Sequence, residues 1–165
     1  MEKTIICIGR EYGSGGHAIG KILAKRTGYE FYDKDRFIAI AKERGFEGEV
    51  EEYLEEQPMN SLLYSIALNY SRPKKKPFPF ELVEELAAEK PCIIIGRCAD
   101  YVLREHKHTL NVFVHANIEF RKKRAVEHYG ISPKKIEDFL HKQDKHRAHY
   151  HSFYTDQKWK AIENY

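Results

Sequence analysis

The chain is 165 residues long and carries 28 Lys and Arg against 25 Asp and Glu, a formal charge of +3 with its nine histidines neutral. That balance excludes a strongly basic nucleic-acid binder, and 42% hydrophobic with 32% charged residues excludes disordered, collagen-like and disulfide-scaffold chains. The length suits a single domain, residues 1–165, around one core.

The elements follow in chain order. Thr4 to Ile8 is a short β-branched run, followed by a glycine-rich stretch and then a helix from His17 to Thr27, with Ile19, Ile22, Leu23 and Arg26 at helical spacing and Gly28 as its stop. Glu30 to Asp33 reads as a second strand and Lys34 to Arg44 as a helix. Glu47 to Glu56 holds six glutamates, a solvated helix face, and Ser61 to Tyr70 again has helical spacing. Ser71 to Phe80, with three prolines and Arg72, Lys74, Lys75 and Lys76, reads as a mobile basic loop. Glu81 to Glu89 is helical and ends at Lys90-Pro91. Cys92 to Ile95 is apolar on both faces, as a strand covered by helices on each side would be, and Leu110 to His115 is a similar run. Asn117 caps a helix to Tyr129, and Ser132-Pro133 opens another, with Ile136, Phe139, Leu140 and Gln143 inward. Strands alternating with helices predict an α/β fold with a mainly parallel sheet flanked by helices.

Apolar runs such as Ile5 to Ile8 fall far short of the roughly 18 residues of a membrane span, and no signal peptide is expected. The three cysteines, Cys7, Cys92 and Cys98, are odd in number and lack metal-ligand spacing, which predicts a reduced, cytoplasmic protein.

The stretch Gly9-Arg10-Glu11-Tyr12-Gly13-Ser14-Gly15-Gly16-His17 joins a buried strand to a helix. In that setting backbone N–H groups and a helix N-terminus together bind phosphate. Laid over G-x-x-x-x-G-K-[ST], Arg10 takes the first glycine slot, Gly13-Ser14-Gly15 are in place, Gly16 stands where the phosphate lysine belongs, and His17 where Ser or Thr would hold Mg²⁺. The cradle is present without its cation. Gly15 to Lys21 also satisfies G-x-x-x-x-G-K, but lies mostly inside the helix.

This loop, with Phe31-Tyr32-Asp33-Lys34, Ile95-Gly96-Arg97-Cys98-Ala99-Asp100-Tyr101, Phe120-Arg121-x-x-Arg124 and Asp144-Lys145-x-Arg147-Ala148-x-Tyr150, resembles the cytidylate kinase-like family of P-loop proteins. The resemblance covers nearly the whole chain and implies a three-layer P-loop NTPase fold of the nucleoside monophosphate kinase type, using ATP and Mg²⁺. It implies that Arg10, Gly13, Ser14, Gly15, Gly16 and His17 bind the ATP phosphates, and that Asp33, Arg36, Arg97 and Asp100 bind the acceptor. Arg121, Arg124 and Asp144 become further nucleotide contacts, Arg121 and Arg124 being three apart on one helix face. Arg147 matches the arginine of a helical lid at about residues 132–155 and, with Arg97, is the expected catalytic residue. No direct protein ligand to the metal is expected, Ser14 being the one hydroxyl offered to Mg²⁺ through ATP and water. Cys98 replaces the aspartate of the family's Gly-Arg-Asp motif, and a further C-terminal strand and helix are expected by resemblance but missing.

Plainer readings stand beside these. Arg97 can pair with a surface carboxylate, and Arg121 and Arg124, flanked by Lys122 and Lys123, can form a solvated basic face. Cys98 can simply pack. His141, His146, His149 and His151 spread around more than one helix face, which favours a cationic lid over a metal site. Lys21 is a further available cation. The expected partners are ATP and a nucleoside monophosphate such as CMP, with no nucleic acid and no membrane, and a homodimer left open. The expected activity is transfer of the ATP γ-phosphoryl group to a nucleoside monophosphate; the alternative is a nucleotide-binding module without catalysis, acting through a partner. From Asn117 to Tyr165 eleven Lys and Arg face seven Asp and Glu, a basic segment suited to gathering phosphates.

Overall fold

A computed structural model describes residues 4–45 and 78–165 of the chain. The glutamate-rich stretch, the expected helix at 61–70 and most of the basic loop, residues 71–77, lie outside the described residues. Four parallel strands form one sheet in the order β2-β3-β1-β4, with β1 at Ile5–Arg10, β2 at Glu30–Tyr32, β3 at Cys92–Ile95 and β4 at Thr109–Val114. Ile5 pairs with Cys92 on one side and Thr109 on the other, so β1 is central. The helices are α1 at Gly16–Thr27, α2 at Lys34–Glu43, α3 at Phe78–Glu89, α4 at Ala99–Val102, α5 at Ile118–Tyr129 and α6 at Ile136–Thr155.

Because strand side chains alternate, each buried strand feeds two cores. Ile5, Cys7, Cys92 and Ile94 point to one face, where Phe37 of α2 and Leu82, Val83 and Leu86 of α3 cover them. Ile6, Ile8, Ile93 and Ile95 point to the other, under Leu23 and Ala24 of α1. All four β3 residues are buried, as continuous apolarity predicts. Each fully buried isoleucine contributes about 1.5–3 kcal/mol.

Four expectations need correction. The isoleucines at helical spacing on α1 are not its inner face: Ile19 and Ile22 are 48% and 55% exposed, and the buried residues are Gly16 and Gly20. The helix lies so close to the sheet that a Cβ on Gly20 would come within 2.7 Å of Ile95 Cδ1. β4 is an edge strand rather than a second β3, with Leu110 55% exposed. Helix α3 begins at Phe78, inside the expected loop, and Ser132-Pro133 opens a 3-10 turn at Pro133–Lys135 before α6 starts.

Asn117 caps its helix as expected, Ser132 forms no side-chain cap, and Asp33, read as the end of a strand, is a cap instead. Asp33 accepts from the Arg36 N–H at the start of α2, and Asn117 from the Phe120 N–H, at 2.8 Å, at the start of α5. α6 packs on α5 through Ile136, Leu140 and Ala125, with Tyr12 and Phe139 at the edge of that cluster. This brings a helix from the end of the chain over the loop at its beginning.

Candidate nucleotide site

The loop from Glu11 to Gly15 leaves the C-terminal end of β1 and enters α1, at the edge where open parallel sheets place ligands. Gly13 and Gly15 have φ of +77° and +92°, conformations closed to most side chains. A Cβ on Gly13 would lie 2.8 Å from the Arg121 carbonyl oxygen, so the loop also touches α5 directly. Ser14 is buried and its hydroxyl donates to the Glu11 carbonyl at 2.9 Å, which turns it into the loop rather than outward to a metal.

A charged network fixes this loop. Arg121, 6% exposed, donates through Nε to the Tyr12 carbonyl at 2.8 Å, lies 3.2 Å through Nη1 from Glu11 Oε2, and pairs through Nη2 with Asp144 Oδ2 of α6. Asp144 Oδ1 accepts from the Tyr12 N–H at 2.8 Å. Glu11 also accepts from the Ala116 N–H at 3.2 Å and from Lys160 near the end of the chain. Burial opposes ionisation of Glu11, but the Lys160 hydrogen bond, the Ala116 N–H and the Arg121 charge outweigh it and hold the carboxyl below the ordinary glutamate range. Breaking such a buried set by removing one member costs about 3–5 kcal/mol.

Beside the loop, β3 ends in a turn with three successive left-handed residues: Gly96 at φ +72°, Arg97 at +59° and Cys98 at +53°. Two of these carry side chains, at a cost of about 1–3 kcal/mol each. Strain of that kind collects at functional sites, and here it places Arg97, 3% exposed, into a narrow pocket with Arg10 and Arg147. Tyr150, Trp159 and Tyr165 complete its walls. Arg147 reaches in from α6: its Nη1 is 3.4 Å from the Arg10 carbonyl and 3.9 Å from Asp144 Oδ1, and its Cζ lies 5.3 Å from the Tyr12 ring centroid. On the floor, Asp100 Oδ2 lies 3.2 Å from His151 Nε2 and accepts from the Tyr165 hydroxyl at 2.9 Å. Burial and the Asp100 carboxylate together push the Tyr165 phenol well above its ordinary range.

The sequence and fold that carry this glycine loop have counterparts among known proteins. This chain belongs to the cytidylate kinase-like family. The model of that family matches residues 5–165. Among solved structures, a protein from Eubacterium ventriosum ATCC 27560, described as uncharacterized, is 27% identical with a TM-score of 0.73, covering 99% of this chain and 84% of that one. A gluconokinase from Sinorhizobium meliloti 1021 is 16% identical with a TM-score of 0.51, covering 87% of this chain and 74% of that one, and shows the shared P-loop kinase fold. No curated protein matches the chain at a significant level.

The expected site residues of this family member separate into groups. Arg10, Arg97 and Arg147 come together in one pocket, with Asp100 at its floor. Arg121 and Asp144 are turned toward each other and the loop backbone, so their visible work is to hold the loop. Arg124 borders the cradle: its Nε is 3.7 Å from where a Gly15 Cβ would sit, and that buried nitrogen has no hydrogen-bond partner among the described residues. Asp33 and His17, assigned by resemblance to different substrates, are paired, with His17 Nε2 2.8 Å from Asp33 Oδ2. Burial works against the Asp33 charge, yet the His17 hydrogen bond and the Arg36 N–H keep its carboxyl below the ordinary range. Arg36 takes part in that capping through its backbone, and its side chain is exposed, as is Lys21.

Of the histidines, His151 is buried against Asp100 and Thr155, His149 is exposed, and His141 is exposed 3.9 Å from Glu137. No group of three or more metal-ligating side chains occurs among the described residues. Cys98 is buried in the core cluster, 3% exposed. Sequence reasoning missed Glu11, Tyr12, Lys160 and Tyr165. Glu11 and Lys160 are 149 positions apart, a separation over which no local pattern carries information.

Proposed function

We propose that this protein is an ATP-dependent kinase that transfers the γ-phosphoryl group of ATP to a nucleoside monophosphate. The observation that carries this reading is the meeting of Arg10, Arg97 and Arg147 in one narrow pocket at the end of β1, the strand from which a glycine loop without a lysine leaves. Phosphoryl transfer asks chiefly for positioning and positive charge, since charge spreads over the transferring oxygens. An acceptor phosphate, with a second pKa of about 6, is already ionised at neutral pH and needs no base.

The residues present fit a nucleotide's phosphates. Left-handed Gly15, whose absent Cβ would meet only the Arg124 side chain at 3.7 Å, leaves the loop backbone open to close approach, and the Arg124 Nε there has no hydrogen-bond partner among the described residues. Gly13 to His17 would cradle the phosphates, Arg97 would clamp the acceptor, and Arg147 on the α6 lid would bear on the transferring group. Mg²⁺ would arrive with ATP and neutralise phosphate charge; Ser14, engaged with Glu11, is not offered as its ligand. No helix among the described residues is long and apolar enough to cross a membrane, and the three cysteines are free and buried, which supports a reducing compartment such as the cytoplasm.

Titration calorimetry with ATP and Mg²⁺, followed by a coupled assay across nucleoside monophosphates, tests the reading. Binding with turnover is expected. Binding without turnover on any acceptor supports a nucleotide-binding module instead, and absence of ATP binding sinks both. The His17–Asp33 pair favours a second reading of the acceptor alone. A carboxylate-held imidazole beside the loop can take the proton of a hydroxyl, so small polyol acceptors belong in the same panel.

A further inference from the structure

Gly16 stands at the seventh position of the phosphate motif, where a lysine belongs, and the space there is closed. A Cβ built on Gly16 would lie 2.7 Å from the Cβ of Arg10, with Arg10 Cγ and Val114 Cβ both at 3.3 Å. The obstacle is the root of the Arg10 side chain, not its flexible end, so it cannot swing aside. With Arg10 present, no side chain fits at position 16. Conversely, the stem of Arg10 fills the space above the first residue of α1, where a lysine stem would begin.

The head of Arg10 is equally well defined. Its Nη1 lies 2.5 Å and its Cζ 3.3 Å from where a Cβ on Gly96 would be, so the guanidinium rests on the turn after β3, beside Arg97. One glycine receives the stem and another the head. Both Arg10 and Arg97 line the pocket that Arg147 enters.

We infer that Arg10 and Gly16 form a reciprocal exchange. Arg10, from the first motif position, supplies the phosphate cation that a lysine would supply from the seventh, and Gly16 is glycine because Arg10 needs its space. The inference rests on the kinase reading above. It places the cation at the end of β1, with its head toward the acceptor side of the loop, where a planar guanidinium can offer parallel N–H donors to phosphate oxygens.

Four variants test it by ATP·Mg²⁺ calorimetry and thermal unfolding: Arg10→Met, which keeps the stem without the charge, Arg10→Gly, Gly16→Lys, and the double Arg10→Gly/Gly16→Lys. The double variant writes G-x-x-x-x-G-K at positions 10–16. Arg10→Met and Arg10→Gly are expected to weaken ATP binding by about tenfold or more, as loss of a charged hydrogen-bonding group does. The double variant is expected to recover to within about threefold of wild type. Gly16→Lys alone lowers the unfolding temperature, and costs far less in the Arg10→Gly background. Gly16→Ala repeats that thermal cycle with a smaller group in case the lysine prevents folding.

Wild-type ATP affinity in Arg10→Met overturns the inference, as does a folded double variant that binds no better than Arg10→Gly, or equal Gly16→Ala costs in both backgrounds. If the wild-type protein itself does not bind ATP, the kinase reading falls as well. Failure confined to the variants removes the exchange and leaves that reading standing.

Discussion

Arg121 and Arg147 lie on two helices packed together, both reach the backbone of the glycine loop, and both share Asp144, yet they are held in opposite ways. Arg121 has Nε, Nη1 and Nη2 each matched to an oxygen, two of them on carboxylates. Arg147 makes a 3.4 Å contact with the Arg10 carbonyl, stands 3.9 Å from Asp144, and faces the Tyr12 ring at the edge of the pocket. Turning Arg121 toward a phosphate would leave Glu11 and Asp144 buried with their charge uncompensated. Arg147 lines the pocket with Arg10 and Arg97. Neighbouring arginines of similar reach therefore differ in their surroundings: Arg121 is committed to two carboxylates and the loop backbone, and Arg147 lines the pocket.

The sharpest way to break this comparison is to remove each arginine in turn. Arg121→Met is expected to cost stability toward the upper end of about 3–5 kcal/mol, read by urea or thermal unfolding, because it strands two carboxylates. A loss below about 1 kcal/mol would show that the network is not what holds the loop. Arg147→Ala is expected to leave unfolding much less affected while lowering phosphoryl transfer on the order of a thousandfold, equivalent to about 4 kcal/mol in the barrier. An unchanged rate would remove Arg147 from the site.

Acid offers a subtler probe. Glu11 and Asp33 are held below their ordinary values of 4.5 and 3.8, so the unfolded chain takes up their protons before the folded one does. Their contribution is complete above those values and is lost as pH falls through the lowered folded ones. The unfolding temperature should drop on acidification from about pH 5 toward pH 3, and Glu11→Gln should flatten part of that drop. The smallest effect is expected on the exposed face of α1, where Ile22→Gln should change stability by no more than about 0.5 kcal/mol. A larger loss would mean that this face is covered in solution.

Much of the fold was legible because its signals are local. β-branched runs, Asn117 as a cap and Gly28 as a stop each act within a few residues, and all appear near their expected positions. The inner face of α1 was misread because glycine carries no hydrophobic signal, and only the close approach to Ile95 shows that Gly20 is the packing residue. β4 was misread for a related reason, since a strand's composition does not say whether a neighbour lies beyond it. At the site, the loop was visible in its glycine spacing, whereas the His17–Asp33 pair was hidden in two segments read for different purposes.

By itself the sequence determined the order of strands and helices, a glycine loop without a lysine, and a supply of arginines in the second half of the chain. Tertiary structure alone decided what each arginine meets. Arg121 meets the Tyr12 carbonyl across 109 positions, and Lys160 meets Glu11 across 149. Such pairings depend on how helices seat on the sheet and on which charges are thereby removed from water. Burial and ion pairing, which tie Arg121 to the loop, are properties of packing and have no local pattern from which to be read.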